Sequence, residues 1–99
     1  MQFKILQFKD IKTIDYAFMD YDYAKKHGFT LKDYEVVYGG TISASAYKNI
    51  FELLESLFTK FNVDRPEDFK GHSMSVSDVI QLEDDRFYYV DMIAFQPIR

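Results

Sequence analysis

The sequence predicts an α+β domain, in which an antiparallel or mixed sheet of four to five strands carries one long amphipathic helix and one short helix. Three observations support this prediction. Apolar side chains recur at spacings of three and four between residues 46 and 61, short runs of β-branched and aromatic residues flank that segment, and glycine or proline separates several runs. A chain of 99 residues is expected to form a single domain, spanning residues 1–99.

Three strands are predicted in the N-terminal half. Residues 2–8 alternate loosely between apolar and polar side chains, which is typical of a strand. Residues 14–19 can form a second, short strand. Residues 34–38 are rich in β-branched and aromatic side chains and predict a third strand, which the glycine pair at 39–40 is expected to end.

A short helix is predicted over residues 20–26. Asp20 is a suitable N-cap, because its carboxylate can accept hydrogen bonds from the first free N–H groups of a helix. Gly28 stands where a helix stop is expected. His27 therefore falls at the C-terminus of this helix, where it can interact with the helix dipole.

The clearest element is a long helix over residues 46–61. Ser45 or Ser43 can cap its first turn, and Asn62 can end it in a left-handed conformation. Seven large apolar side chains are predicted to form one stripe that covers the core of the domain. They are Tyr47, Ile50, Phe51, Leu54, Leu57, Phe58 and Phe61.

The C-terminal part predicts a hairpin with strands over residues 77–82 and 86–95. Both faces of the second strand are largely apolar, which indicates a strand that is central or covered on both sides. Pro97 is expected to stop it.

Composition narrows the class of protein. There is no cysteine, so disulfides, thiolate nucleophiles and cysteine-ligated metals are excluded, and a reducing compartment fits. The net charge of −4 argues against nucleic acid as a partner, because phosphate binding needs a basic surface. The sequence lacks the long apolar stretch that a signal peptide or a membrane span needs. A cytoplasmic protein with no membrane partner is therefore expected.

Residues 71–80 combine a glycine, a histidine, three serines and an aspartate before an apolar run. Residues 71–75 nearly match the G-x-S-x-G motif of serine hydrolases, but Ser75 replaces the last glycine and the segment precedes a strand instead of following one. We therefore interpret the polar residues as a structured turn whose side chains bond nearby main chain, with His72 a buried or half-buried hydrogen-bonded residue. The predicted structural motif comprises Gly71, His72, Ser73, Ser75, Ser77, Asp78 and Asp91.

The remaining candidate sites are few. Two histidines and scattered carboxylates do not suggest a metal site, and no glycine-rich phosphate loop is present, so no metal and no cofactor are predicted. A cluster of alternating tyrosines and aspartates is the candidate protein-binding surface, because tyrosine is enriched at interfaces. It comprises Tyr16, Asp20, Tyr21, Asp22 and Tyr23.

Four stretches of the chain together resemble the YodL-like domain family, and the block from Phe61 to Ile80 is the most specific of them. The family usually has leucine where Met74 stands and glycine where Ala94 stands; neither change touches a polar residue. The matching stretches are residues 34–40, 50–51, 61–80 and 88–95.

The resemblance implies a small cytoplasmic α+β domain, found in Firmicutes alone or as a module of proteins carried on mobile elements, and it implies no catalytic residues. The hypothesis it favours is a non-enzymatic protein-interaction module that binds a host protein, such as a defence or cell-shape component. One alternative is a small β-barrel-like domain that contacts RNA or DNA, with Tyr88 and Tyr89 stacking on bases. A more remote alternative is an enzyme that uses the His72 region.

Overall fold

A computed structural model, which describes residues 1–98, contains five strands and two α-helices. The sheet is antiparallel throughout and open, and its strand order is β2-β1-β3-β4-β5. The predicted α+β class, with one long helix and one short helix, is confirmed. The elements are β1 (Gln2–Phe8), α1 (Tyr21–Lys26), β2 (Tyr34–Thr41), α2 (Ile50–Val63), β3 (Val79–Leu82), β4 (Arg86–Val90) and β5 (Phe95–Ile98), with 3₁₀ turns at Ile11–Thr13, Leu31–Asp33 and Ala44–Ala46.

Helix α2 covers one face of the sheet. It begins at Ile50 and not near residue 46, because Asn49 caps it: the Asn49 side chain accepts a hydrogen bond from Glu52 N at 2.9 Å. Ser43 instead precedes the 3₁₀ turn at Ala44–Ala46 and makes no side-chain capping bond. The buried core on this face consists of Phe3, Ile5, Leu53, Leu54, Leu57, Phe61, Met74, Ile80, Leu82, Tyr88 and Val90.

An aromatic layer covers the opposite face. Tyr89 of β4 is fully buried there, and its ring lies 5.0 Å from the ring of Tyr21 in α1 and 5.7 Å from that of Phe29. Strands β3 and β4 therefore have protein on both faces, which explains why β4 is apolar on both sides. The buried residues of this second cluster are Leu6, Tyr16, Ala24, Tyr34, Val79 and Tyr89.

The strand predicted over residues 14–19 does not form. This segment is a series of turns laid against the aromatic layer. Phe18 adopts a φ of 64°, which a strand does not allow, and its N–H donates to the Oγ of Ser77 at 2.9 Å. The apolar side chains of this segment therefore pack against the aromatic layer without forming a paired strand.

The two glycines predicted to end the third strand lie inside β2, which continues to Thr41. Gly40 faces Phe3 of β1, and a Cβ at that position would lie only 3.1 Å from Phe3 Cζ. Glycine at this position therefore leaves room for a neighbouring aromatic ring instead of ending the strand.

The long strand predicted over residues 86–95 is two strands joined by a tight turn. Asp91 N donates to Ala94 O at 2.9 Å, and β5 then folds back along β4. Pro97 lies within β5, opposite Tyr88, and does not stop it. A proline is tolerated there because β5 is an edge strand and need not donate to a further neighbour.

The first strand of the predicted hairpin also begins later than expected, at Val79 and not at residue 77. Ser77 has a φ of 83° and lies outside the ladder. No helix within residues 1–98 is long and apolar enough to cross a membrane.

Candidate functional site

The polar segment before β3 is fastened to the middle of the sheet by Gln7 of β1. Gln7 is buried, and its Nε2 donates to Asp78 Oδ2 at 3.1 Å and to the carbonyl oxygen of His72 at 2.9 Å. Its Oε1 accepts from His72 N at 3.2 Å. The same Asp78 oxygen accepts from Ser75 N at 3.0 Å. We call Gln7, His72, Ser75 and Asp78 the Gln7–Asp78 network.

The Asp78 carboxyl is buried and shielded from water. Burial raises its pKa from 3.8 to about 6, while the Ser75 N–H, the charge of His72 and the Gln7 amide act in the opposite direction. Burial is the largest effect, because a carboxylate at 1% exposure loses most of its hydration.

The His72 ring contacts Gln7 and the main chain of Ser73. Its Nδ1 lies 2.7 Å from Ser73 O, and since a carbonyl oxygen only accepts, Nδ1 carries the proton. The 3.3 Å contact between that nitrogen and Gln7 Nε2 is therefore a contact of two donors. His72 is exposed, where the sequence led us to expect a buried or half-buried ring, and its side chain bonds no serine hydroxyl within residues 1–98.

Ser77 joins three parts of the fold. Its N–H donates to Val90 O at 2.9 Å, its carbonyl accepts from the Tyr34 hydroxyl at 2.6 Å, and its Oγ accepts from Phe18 N. The hydroxyl of Ser75, in contrast, is buried with no hydrogen-bond partner among the described residues. The Ser73 side chain makes no hydrogen bond in the same part of the chain, and the residue is exposed.

Gly71 is needed because of its neighbours. A Cβ there would overlap Gln7 Oε1 and lie 2.9 Å from Phe69 Cζ. Any larger residue would therefore displace the side chain that holds the loop. Asp91, the last member of the predicted motif, lies apart from the network: it accepts from Met92 N at 2.8 Å and, more weakly, from Tyr21 N at 3.4 Å.

The tyrosine–aspartate cluster does not form the predicted surface as a whole. Tyr16 is 2% exposed, and its hydroxyl donates to Asp33 Oδ2 at 2.9 Å. Its assignment to a binding surface is wrong, because the turns at 14–19 direct its ring under the sheet. Burial and the bond to Asp33 raise the pKa of Tyr16 to about 12.

The other members of the cluster lie nearer the surface but are already engaged. Tyr21 is half-buried against Tyr89, with Lys25 Nζ 4.9 Å from its ring centre, and Tyr23 stacks on His27 at 3.8 Å. Asp20 caps α1 by accepting from Tyr23 N, and the exposed Asp22 pairs with Lys25 at 3.6 Å. Most of these contacts lie within helix α1 and its caps, and the Tyr21 ring also packs on β4.

An exposed apolar groove lies elsewhere, between α2 and the turn that joins β4 to β5. Ile93 is 99% exposed, Met92 59% and Phe51 47%. The groove has a volume of about 300 Å³, and its charged lining residues are Glu55 and Asp91. We call it the Ile93 groove. Its residues are Phe51, Glu55, Phe58, Val76, Val90, Asp91, Met92, Ile93, Ala94 and Phe95.

Sequence reasoning misses this groove, because residues 91–94 continue an apolar run that predicts a strand. The available signal was Asp91, since aspartate inside such a run favours a turn in which its side chain bonds the following main chain. Within residues 1–98, no group of three or more acidic or histidine side chains is arranged to hold a metal ion.

The fold and these contacts define a small α+β domain whose open antiparallel sheet lies between one long helix and an aromatic layer. The family model of the YodL-like domain matches residues 2–99, so the chain belongs to the YodL-like domain family. This finding confirms the resemblance noted from the sequence. A search of the curated proteins and a search of the solved structures each found no match.

Proposed function

We propose that this chain is a non-enzymatic protein-interaction module that binds and modulates a host protein through the Ile93 groove. In the setting that the family resemblance implies, it acts in the cytoplasm of a Firmicute as a product of a mobile element, on a target such as a defence or cell-shape component. The observation that carries the proposal is the pair Met92 and Ile93, which lies exposed beside Phe51.

Folding does not account for this surface. Burying an isoleucine or methionine contributes roughly 1.5–3 kcal/mol, and a turn that only reversed the chain would be expected to carry polar residues. Contiguous exposed apolar side chains are typical of binding sites. Asp91 N donates to Ala94 O and Asp91 Oδ1 accepts from Met92 N, so the turn also presents the apolar side chains in a defined position.

The other two hypotheses receive less support. Tyr88 and Tyr89, which would stack on bases in a nucleic-acid-binding domain, are 7% and 0% exposed and pack in the two cores. The charge of −4 also disfavours phosphate. For an enzyme at His72, the ring would need a group to activate, and among the described residues it bonds no side-chain hydroxyl.

The proposal is tested by site-specific photocrosslinking in a Firmicute lysate. A photoreactive phenylalanine analogue at position 93 is expected to give discrete protein adducts that excess wild-type domain suppresses and excess Ile93→Asp does not. The matched control is the same analogue at Val63, an apolar residue that is 81% exposed at the far end of α2.

Equal labelling from positions 93 and 63 would contradict the proposal. So would the recovery of RNA without protein, which would favour the nucleic-acid alternative. The Ile93→Asp competitor must retain the melting temperature of the wild type, which its full exposure leads us to expect.

A further inference from the structure

The Ile93 groove has acidic as well as apolar lining residues. Glu55 lies four residues after Phe51 and three before Phe58, so the three side chains share one strip of helix α2. Asp91, in the turn after β4, is the second acidic lining residue, and its Oδ1 already accepts from Met92 N and Tyr21 N. No lysine or arginine lines the groove within residues 1–98.

The Glu55 carboxylate has no ion-pair partner among the described residues, where the one salt bridge joins Lys25 to Asp22. Glu55 is exposed, so water screens its carboxylate until a partner covers it, and covering it beside the apolar lining residues lowers that screening. A cationic side chain of a partner would therefore gain attraction at the middle of the contact, and the apolar residues around it would exclude water.

A second copy of this chain does not fit the groove. Isologous pairing would bring the Glu55 and Asp91 carboxylates of both copies towards each other, and like charges in an interface oppose association. Strand pairing along the neighbouring edge of the sheet is also disfavoured, because β5 carries Pro97, which cannot donate a main-chain hydrogen bond.

We infer that the Ile93 groove binds a peptide segment that carries a lysine or arginine between bulky apolar side chains, the cation facing Glu55 and the apolar groups facing Ile93 and Phe51. The inference rests on the proposed function and specifies the chemistry of the partner. The small volume of the groove, about 300 Å³, suits one short segment and not a large folded surface.

The test is selection of peptides from a random display library on the wild-type domain, with peptides that also bind Ile93→Asp removed. The selected peptides are expected to be enriched in lysine or arginine beside leucine, isoleucine, methionine or phenylalanine. Affinities of single peptides are then measured by fluorescence polarisation for the wild type, Glu55→Gln, Glu55→Lys and the control Glu35→Lys.

Glu35 is a matched control because it is also an exposed carboxylate but lies on β2, at the other edge of the sheet. We expect Glu55→Lys to weaken binding about tenfold, Glu55→Gln less, and Glu35→Lys by no more than about twofold. Added salt is expected to reduce the difference between the wild type and Glu55→Lys.

The outcomes separate the two proposals. Peptides that need Ile93 but show no enrichment in basic residues, or bind Glu55→Lys as well as wild type, would overturn the inference and leave the protein-interaction function standing. A selection that leaves no peptide, once those that also bind Ile93→Asp are removed, would overturn both.

Discussion

Asp78 shows how one buried carboxyl links the loop, the sheet and the pH dependence of stability. Its folded-state pKa of about 6 lies above the ordinary value of 3.8, because burial disfavours the charged form. Between these two values the folded state holds the proton more tightly than the unfolded state. The contribution of Asp78 to the free energy of unfolding therefore falls as the pH rises from about 4 to about 6.

We predict that Asp78→Asn abolishes this contribution. Asparagine keeps an oxygen that can accept from Ser75 N and Gln7 Nε2 but cannot ionise. Relative to the wild type, the free energy of unfolding of Asp78→Asn should rise by on the order of 2 kcal/mol between pH 4 and pH 7. Urea unfolding at both pH values measures this difference, and the titration of surface carboxylates cancels between the two proteins.

Asp78→Ala serves as a comparison, since it removes the acceptor as well as the charge. It leaves the Ser75 N–H and one Gln7 Nε2 hydrogen unpaired and should destabilise the fold by about 1–3 kcal/mol at pH 4. A stability difference between wild type and Asp78→Asn that stayed constant with pH would show that Asp78 titrates as an ordinary carboxyl.

At the scale of single elements, helix α2 shows which buried residues a periodic apolar pattern predicts and which it does not. The spacing correctly placed Leu54, Leu57 and Phe61 in the core. It missed Leu53, which is 1% exposed, and it placed Phe51 in the stripe although 47% of that residue is exposed. The rotation of a helix about its axis depends on the sheet it rests on, so periodicity alone identifies the apolar side but not its edges.

The start of α2 gives a prediction for this scale. Asn49→Ala should lower the free energy of unfolding by about 1 kcal/mol, because the Glu52 N–H loses its side-chain acceptor. Ser45→Ala, the corresponding change at the cap predicted from sequence, should cost less than about 0.5 kcal/mol. Thermal or urea unfolding of the two variants measures both. A larger loss for Ser45→Ala would place the functional cap at the serine.

The edge strand β5 is an element that the local sequence pattern did not predict. The sequence predicts one strand over residues 86–95 that Pro97 stops, since proline is rare in paired strands, so only Phe95 of β5 falls within a predicted strand. The chain reverses at residues 91–94 because Asp91 N bonds Ala94 O and because the returning residues can still pair with β4 on its free side.

At the scale of the whole molecule, the sheet is the layer shared by two cores. Phe3, Ile5 and Ile80 face helix α2, while Leu6, Val79 and Tyr89 face the aromatic layer. The central strands β1 and β3 thus lie between protein on both faces and have paired neighbours on both sides. Opening them requires the two cores to separate, whereas β5 can detach along one side.

We predict a corresponding order in native-state hydrogen exchange. Hydrogen-bonded amides of β1 and β3 should exchange only by global unfolding, while those of β5 should exchange at least about tenfold faster through local opening. Two-dimensional NMR at neutral pH measures the rates residue by residue. Equal protection of β3 and β5 would mean that the edge strand unfolds only together with the rest of the sheet.

The sequence by itself determined the fold class, the family, the long helix with most of its buried side chains, the short helix with its Asp20 cap, and the first strand. The family follows from the resemblance of four stretches of the chain. The other features depend on neighbours within one or two turns, so local spacing and composition suffice to specify them. Only the tertiary structure decided that Tyr16 is buried, that Gln7 holds the polar loop, and that Met92 and Ile93 remain exposed. Each of these depends on residues 15 or more positions away: Tyr16 contacts Asp33, Gln7 contacts Asp78, and the turn with Met92 and Ile93 lies beside helix α2. Whether a residue is apolar or polar does not by itself say which distant surface it meets.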